Sequence, residues 1–246
     1  MNTELSKISD WLSANKLSLN VGKSKLLYYT NKNRNCLKDI KIKINDEILK
    51  EVDSAKYLGV LMDNKLNWNM HVNNIKLRIS KGISILSLMR HYLPQTILRS
   101  LYFTFINSHI DYNLLNWGTA PPSTLETVSS KTRKAIHIIS FKEKEEPSMP
   151  LFKKHSILPL EQNLELKQAN FMWKLDNNLI PPSLARNFRL NRNQINIAYN
   201  RLQTSNNHIT YAGPRIWQKI PDNIKGKSFP KSFSKSYRTH LLDSLN

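Results

Sequence analysis

The chain has a single cysteine, Cys36, among its 246 residues. One thiol cannot form an internal disulfide framework, and by itself it cannot build a thiolate metal site. No apolar run approaches the roughly 18 residues that a membrane-spanning helix needs, and the opening MNTELSKISDWL lacks the basic-then-apolar order of a secretory signal. We therefore expect an intracellular protein with no membrane partner, and the sequence does not distinguish nucleus from cytoplasm.

Acidic residues are scarce. The chain has 37 Lys and Arg residues against 18 Asp and Glu residues, a formal net charge of +19. Such an excess goes beyond what solubility requires and is typical of proteins that meet a polyanion, above all nucleic acid. Residues 1–63 hold 11 basic and 8 acidic side chains, whereas residues 64–246 hold 26 and 10. The predicted contact with a polyanion therefore lies mainly in the second part.

Patterns of metal ligands are also lacking. The seven histidines show no H-x-x-x-H spacing and have no cysteine partners, so a zinc site is not expected. Asp53 and Asp63 flank a strand-like stretch and could suggest a metal pair, but aspartates that cap turns are far commoner. We predict that this chain binds no metal and no cofactor.

The first part of the chain predicts one helix and several strands. Apolar residues at helical spacing from Leu5 to Leu12 predict an amphipathic helix. The segments LLYYT, IKIKI, EILKEV and AKYLGVLMD predict strands, with IKIKINDEILKEV as the clearest hairpin, turning at Asn45 and Asp46. A small antiparallel sheet with one helix is therefore expected over residues 1–66.

From Trp68 onward the apolar spacing becomes helical. A long helix is predicted to run to about Leu93. Its apolar face comprises Val72, Ile75, Ile79, Ile83 and Leu86. Pro94 then begins QTILRSLYFTFINSHIDYNLLNW, which is apolar nearly all round and is predicted to be the buried centre of a bundle. A third helix is expected at about 123–140, which completes a helical domain over 67–142.

The charged, proline-punctuated stretch EKEEPSMP predicts a boundary near residue 143. In 143–246 a helix is expected at about 160–178, followed by irregular structure, because residues 183–246 hold 11 basic and 2 acidic side chains and few periodic segments. The predicted fold class is thus α+β: a small antiparallel sheet with one helix, a mainly α-helical bundle, and a basic, loop-rich C-terminal region.

Several stretches of the chain carry a specific resemblance. ISDWLSANKLSLNVGKSKLLYY, followed about 30 residues later by SAKYLGVLMDNKLNWNMHV, resembles the downstream end of the reverse transcriptases encoded by non-LTR (LINE-type, jockey-like) retrotransposons. The resemblance continues through LPQTILRSLYFTFINSHIDYNLLNWG, LFKKHSILPLEQ and YAGPRIWQKIPDNIK. It covers nearly the whole chain, and the agreement in order and spacing makes it specific.

The resemblance implies an architecture. The opening helix and LLYYT are similar to motif D of the polymerase palm, and KYLGV is similar to motif E, the primer grip, a hairpin at the junction of palm and thumb. The helices from Trp68 to about Gly118 resemble the thumb. On this basis residues 1–66 are expected to be a partial palm, 67–142 a thumb-like domain, and 143–246 a C-terminal extension.

The resemblance also bears on catalysis. Polymerases hold two divalent ions with carboxylates, which this family supplies upstream of the segments matched here, in part from a paired-aspartate turn. No Asp-Asp pair occurs in this sequence. We therefore expect a truncated RNA-directed DNA polymerase that cannot polymerise DNA as given. The parent enzyme would need two magnesium ions, bound by residues that are absent here.

The palm motifs supply one group of candidate contacts to nucleic acid. Lys23 is similar to the motif D lysine that is proposed to donate a proton to pyrophosphate. Without a metal site, a solvated turn lysine or a phosphate contact shared with Lys25 is the favoured interpretation. The primer-grip candidates are Lys56, Tyr57, Leu58 and Gly59. The resemblance implies that a primer backbone passes close to Gly59, whereas the plainer alternative is a core strand with a tight bend.

The thumb-like helices supply a second group of candidates. These are Arg78, Lys81, Arg90, Lys131, Arg133 and Lys134. In reverse transcriptases the thumb lies along the minor groove of the template–primer duplex, so these side chains are expected to face phosphates of an RNA–DNA hybrid or duplex without reading sequence. Residues 64–142 hold 10 basic and 2 acidic side chains, whereas ordinary solvated faces mix signs.

Two other functions are compatible with the sequence. The chain could be a non-catalytic structural or protein-interaction remnant, in which LFKKHSILPL through YAGPRIWQKIP would dock onto the palm and fingers of a reverse transcriptase. Alternatively, it could act as an enzyme, either with a separate catalytic half or as a nuclease built from scattered carboxylates.

Overall fold

The computed structural model of the chain describes residues 2–29, 41–44, 47–188, 190–191, 194–195 and 208–245. The chain divides into two compact units, Met1–His71 and Val72–Asn246. The first contains one helix and short strands, and the second is mainly helical. The domains 1–66, 67–142 and 143–246 stay a prediction, because compactness does not identify a palm, a thumb or an extension.

The first helix, α1 (Asn2–Ala14), forms where the apolar spacing predicts it. The side chain of Asn2 accepts a hydrogen bond, at 3.3 Å, from the backbone N–H of the first residue of strand β2 (Lys43–Ile44). Ile8 and Trp11 on the apolar stripe of α1 stay 51% and 61% exposed. The stripe is therefore only partly covered by the described residues.

The described strands of the first unit pair as separate two-stranded ladders. The pairs are β1 (Lys25–Leu26) with β4 (Lys50–Glu51), β2 with β3 (Glu47–Ile48), and β5 (Ser54–Tyr57) with β6 (Val60–Asp63). The first pair is parallel and the other two are antiparallel. The prediction of one antiparallel sheet is therefore wrong for the described residues, and the predicted turn at 45–46 lies outside them.

The change of partner occurs at Leu49. Its N–H still donates to the carbonyl of Ile42 at 2.9 Å, but the N–H of Val52 donates to Leu26 on the other ladder at 2.9 Å. The alternation in IKIKI holds for the described residues, since Ile42 and Ile44 are buried and the lysines between and before them are exposed. Alternation thus fixed which side chains face inward, but it carried no information about which strand pairs with which.

The second unit is built from helices. In chain order they are α2 (Asn69–Met89, whose first turn belongs to the first unit), α3 (Gln95–Tyr102), α4 (Ser108–Asp111), α5 (Leu114–Trp117), α6 (Pro122–Ser140), α7 (Ser148–Lys154), α8 (Leu160–Asp176), α9 (Pro182–Ala185), α10 (Ile209–Lys219), α11 (Asp222–Lys225) and α12 (Pro230–Asp243). The short strands β7 (Leu190–Asn191) and β8 (Gln194–Ile195) pair antiparallel between α9 and α10.

Helix α2 buries the face that its sequence predicts. The residues of the predicted stripe are all between 0% and 6% exposed, namely Val72, Ile75, Ile79, Ile83 and Leu86. Gly82 lies against the backbone of the following segment, because a Cβ there would come within 2.9 Å of the Phe105 carbonyl oxygen and of Ile106 Cγ1. The missing side chain at Gly82 therefore allows α2 to pack closely on this segment.

The segment 95–117 is not the single helix that the sequence predicts. After α3 it passes through a π-helical turn, Phe103–Asn107, and breaks again at Asn113, whose φ is 55°. Its buried side chains recur every three to four residues, at Leu98, Tyr102, Ile106, Ile110, Leu114 and Trp117. A four-residue repeat drifts by about 40° per step around an α-helix of 3.6 residues per turn, and a wider turn offsets that drift.

The prediction that 95–117 is the buried centre of a bundle holds for only one side of the segment. One side of the segment is buried, but Ile97, Phe105 and Tyr112 are 45%, 37% and 54% exposed. Apolar composition alone did not distinguish a central helix from one that lies at the surface with exposed aromatic side chains.

Beyond residue 178 the structure differs from the irregular region that the sequence predicts. Helices α10 and α12 pack against α8 and share its apolar core. Phe233 of α12 stacks on Trp173 of α8, with ring centroids 5.9 Å apart, and lies 5.9 Å from Trp217 of α10. The prediction of irregular structure relied on the many charges in this region and overlooked the aromatic residues that form this core.

A buried polar cluster joins α3, α6 and the α7–α8 turn. The side chain of Gln95 donates to the Ser140 carbonyl at 3.2 Å, and Arg99 Nε donates to the His155 carbonyl at 2.6 Å. The Ser140 hydroxyl and His155 Nε2 are hydrogen-bonded at 2.9 Å. Burial, with Lys154 and Arg99 nearby, lowers the pKa of His155 below its ordinary value of 6.5, so the fold favours the neutral imidazole.

Truncating Phe233 tests the aromatic core. Phe233 is fully buried, so Phe233→Ala should lower the free energy of unfolding by about 3–5 kcal/mol. Phe229, just before the same helix, is 71% exposed. Phe229→Ala should therefore change the free energy of unfolding by no more than about 0.5 kcal/mol. Urea unfolding followed by tryptophan fluorescence measures both, and equal effects would contradict the assigned core.

The polar cluster predicts a dependence of stability on pH. Because the folded state lowers the pKa of His155, the unfolded chain binds a proton more readily, and stability should fall as the pH drops below about 6.5. The variant His155→Gln keeps a hydrogen-bonding side chain but cannot titrate. Its unfolding free energy should fall less than that of the wild type between pH 7 and 5, and parallel curves would refute this contribution.

Candidate nucleic-acid interface

The primer-grip candidates lie at the tip of the β5–β6 hairpin. Tyr57 pairs with Val60, so Leu58 and Gly59 form a two-residue turn, with φ of 45° and 83°. Positive φ at both central positions is typical of a type I′ turn, which matches the twist of the flanking strands. Gly59 therefore belongs to the turn and not to a strand. Glycine is favoured there because it adopts a positive φ without steric cost.

The side chains at this tip are not in a core. Tyr57 and Leu58 are 65% and 72% exposed, and Lys56 is also exposed. The core-strand alternative is therefore wrong for the turn, although Val60 on the next strand is buried. The tip is therefore accessible to another molecule.

Asp53 and Asp63 both accept local hydrogen bonds at the base of the hairpin. The Asp63 carboxylate accepts from the N–H groups of Lys65, Asn67 and Trp68 at 3.0–3.2 Å. Asp53 Oδ1 accepts from the Asn64 side chain at 3.1 Å. The turn-capping interpretation is therefore confirmed for Asp63, whereas the bond to Asp53 comes from a side chain and not from a turn N–H.

The carboxylates of the hairpin do not fit the two-metal site of a polymerase. Those of Asp53 and Asp63 are already engaged by backbone and amide donors. Among the residues that the structure describes, no group of three or more His, Cys, Asp and Glu side chains could hold a metal ion. The expectation that the chain binds no cofactor stays a prediction.

Lys23 and Lys25 lie near a short 3-10 turn, Val21–Lys23. The Asn20 side chain caps this turn by accepting from the Lys23 N–H at 3.0 Å. Both lysine side chains are exposed. Their assignment to phosphate binding stays a prediction, and a solvated turn accounts equally for their exposure.

The basic side chains of α2 differ in their surroundings. Arg78 and Lys81 are exposed, opposite the buried stripe. Arg90 instead lies over the ring of Phe141, 5.7 Å from its centroid, where α2 approaches the end of α6. Burial, and to a smaller extent the charge of Arg78, lowers the pKa of His109 below its ordinary value. His109 therefore adds no positive charge beside Arg78 at neutral pH.

The basic side chains of α6 also differ. Lys131 donates to the hydroxyl of Ser80 on α2 at 2.7 Å, and Arg133 forms an ion pair with Glu126. Lys134, one turn beyond Lys131, is exposed. Lys131 and Arg133 thus have contacts within the protein that compete with a phosphate.

The two acidic residues of 64–142 are both paired. Glu126 meets Arg133, and Asp111 meets Lys167 of α8 at 3.0 Å. Arg78, Lys81 and Lys134 form no ion pair with any residue that the structure describes. These three exposed cations, called here the α2/α6 basic surface, are available to an external anion.

Comparison with known proteins indicates a distant relationship. Over 138 residues, 54% of this chain, it is 25% identical to the probable RNA-directed DNA polymerase from transposon X-element of Drosophila melanogaster. The matched region spans 15% of that protein. No family model matches the chain, and no solved structure matches it. The chain is thus similar to a transposon reverse transcriptase, and the finer assignment to palm motifs and thumb stays a prediction.

Sequence reasoning missed one group of basic residues. Lys167 and Lys174 of α8 and Lys231 of α12 line a common cavity. The seven-residue spacing of the first two places them on one face of a helix and could have indicated a pair. The approach of Lys231 depends on how α12 packs on α8, which the sequence did not predict.

No helix in the part of the chain that the structure describes is both long enough and apolar enough to cross a membrane.

The turn at the hairpin tip predicts opposite effects of two substitutions. Gly59→Ala places a side chain at φ 83° and should cost about 1–2 kcal/mol, whereas Leu58→Asn creates the preferred Asn-Gly turn and should stabilise the hairpin. Hydrogen exchange of the β5–β6 amides measures both changes. Gly22→Ala is the control, since a Cβ there meets only Asn20 Oδ1 at 3.6 Å. Faster exchange in Leu58→Asn would contradict the turn.

Proposed function

We propose that this chain is the nucleic-acid-holding part of a non-LTR retrotransposon reverse transcriptase. It binds the phosphates of a template–primer duplex and does not itself polymerise DNA. Its similarity to a transposon RNA-directed DNA polymerase supports the class of ligand. The sequence contains no Asp-Asp pair of the kind that such polymerases use to hold their metal ions, which supports a binding function rather than a catalytic one.

The observation that carries the proposal is the α2/α6 basic surface. Ten basic and two acidic residues lie in 64–142, and both acids are already neutralised by partners. Arg78, Lys81 and Lys134 have no such partner among the described residues. Cations without carboxylate partners gain the most from a phosphate, because no internal ion pair has to be broken first.

Binding of this kind depends on the geometry of the nucleic-acid backbone and not on the base sequence. Ammonium and guanidinium groups on a helix surface reach phosphate oxygens, which carry no direct sequence information. Each phosphate that they neutralise releases condensed counterions, so affinity falls as salt concentration rises. The proposed preference is therefore for an RNA–DNA hybrid or another duplex, with little dependence on sequence.

The alternative of a docking fragment has less support. It requires LFKKHSILPL through YAGPRIWQKIP to offer apolar side chains to the palm and fingers of a reverse transcriptase. In the second unit Phe152 and Leu158 are 1% and 5% exposed, and Trp217 is 9% exposed. These anchors already lie in the unit's own core, so they are not free to dock elsewhere.

The α2/α6 basic surface can be tested by removing its charge. The triple variant Arg78→Gln, Lys81→Gln, Lys134→Gln should bind an RNA–DNA hybrid of about 20 base pairs more weakly at low salt, and each lost contact should reduce the salt slope by about 0.9. Fluorescence anisotropy at several salt concentrations measures both quantities.

The matched control removes three exposed lysines elsewhere, by Lys144→Gln, Lys219→Gln and Lys235→Gln. It lowers the net charge equally, so it should leave the salt slope nearly unchanged. Equal loss in both variants would mean that net charge, and not this surface, determines binding. Absence of binding by the wild type at low salt would overturn the proposal.

A further inference from the structure

A second basic site lies in a cavity of about 430 Å³ in the second unit. Its walls come from the α4–α5 break, one face of α8 and the first turns of α12. The lining groups that matter here are Asp111, Lys167, Phe171, Lys174 and Lys231. A volume of this size suits one small ligand and is too small for a nucleic-acid duplex.

The charge of this cavity is positive after its internal ion pair is counted. Asp111 accepts from Lys167 at 3.0 Å and from the side chain of Asn163 at 2.7 Å, which satisfies the one lining carboxylate. Lys174 and Lys231 are exposed and form no ion pair with a described residue. Two ammonium groups, from different helices, thus remain available at the mouth of the cavity.

The net charge of the chain does not by itself explain this convergence. The larger cavity of the same unit, about 650 Å³, includes Glu126, Glu161 and Glu165 in its lining and has neither Lys nor Arg there. Positive charge is therefore concentrated at one cavity and excluded from the other. Glu126 is paired with Arg133, but Glu161 and Glu165 form no ion pair with a described residue, so an anion is favoured at the lysine-lined cavity over the larger one.

The remaining wall of the lysine-lined cavity is apolar and aromatic. Phe171 is half-buried, packs against Phe188 with ring centroids 5.6 Å apart, and also lines the cavity. Asn170, whose side chain donates to the Ser234 hydroxyl at 3.2 Å, adds an amide to the lining. An aromatic ring, an amide and two ammonium groups together suit a ligand that joins a planar heterocycle to a phosphate.

We propose that this cavity binds one nucleotide unit of a single-stranded nucleic acid. Lys174 and Lys231 hold its phosphate, and the base packs against Phe171. The site is separate from the α2/α6 basic surface and takes a different form of nucleic acid, so either site can be absent without the other.

The lysines are tested with a fluorescent hexathymidylate and the full chain. In the double variant Lys174→Gln, Lys231→Gln, affinity should fall about tenfold at low salt, and two lost contacts should reduce the salt slope by about 1.4, at roughly 0.7 per contact for a single strand. The control Lys219→Gln, Lys235→Gln lowers the charge equally and should lose less than about twofold. Equal losses in the two variants would overturn the site.

The base contact is tested by changing the probe and not the protein. A hexamer of abasic sugar phosphates keeps every phosphate but has no base to stack, so it should bind the wild type about tenfold more weakly than hexathymidylate. Equal binding of the two probes would overturn the assignment of a nucleotide site. Because both lysines are exposed, the thermal midpoint of the double variant should match that of the wild type.

The two basic sites are distinguished by a crossed comparison. The triple variant of the α2/α6 basic surface should keep its affinity for hexathymidylate, and the Lys174→Gln, Lys231→Gln variant should keep its affinity for the hybrid duplex. If the triple variant lost both ligands while the double variant lost neither, the cavity site would be refuted and the proposed function would stand.

Discussion

The packing of Phe233 between Trp173 and Trp217 is the interaction on which the second unit depends. It fixes α12 and α10 against α8, and Tyr237, one turn along α12, continues the stack at 6.0 Å. The Tyr237 hydroxyl donates to Glu165 at 2.8 Å, and burial with this bond raises the pKa of the phenol. A neutral donor therefore satisfies a carboxylate beside an otherwise apolar core.

The scarcity of carboxylates determines where positive charge remains available. Asp111 neutralises Lys167, and Glu126 neutralises Arg133. Other cations are held by neutral groups, as Lys131 is by the Ser80 hydroxyl. Among the cations left without an ion pair, Arg78, Lys81 and Lys134 are exposed on α2 and α6, and Lys174 and Lys231 line one cavity. A few internal contacts thus decide which cations of a basic chain remain available to an anion.

Sequence patterns predicted the helices best where one side is buried. The stripe from Val72 to Leu86 followed from its spacing, since burial on one face of a helix leaves a periodic signature. The sequence did not predict the type I′ turn at Leu58 and Gly59. Such turns usually carry Asn or Gly at the first position, and leucine does not favour the positive φ that it adopts there. The parallel pairing of β1 with β4 left no local signature, since it depends on segments 25 residues apart.

The candidate sites show the same division between local and tertiary information. The exposure of Arg78, Lys81 and Lys134 could be expected from their positions on helices. The internal contacts of Lys131 and Arg133 could not be predicted from the sequence. These contacts require α2 to lie beside α6, or a particular rotamer of Glu126. The approach of Lys231 to the α8 lysines was missed for the same reason, since α12 had not been predicted.

The shapes of the two basic sites bear on what each can hold. A convex helix surface meets successive phosphates of a duplex, whereas a cavity of about 430 Å³ admits one nucleotide at a time. Both lie in the second unit, whose aromatic core fixes α8 and α12 around the cavity. A hybrid with a single-stranded overhang offers both shapes on one molecule, and linked contacts of this kind raise affinity without any new contact type.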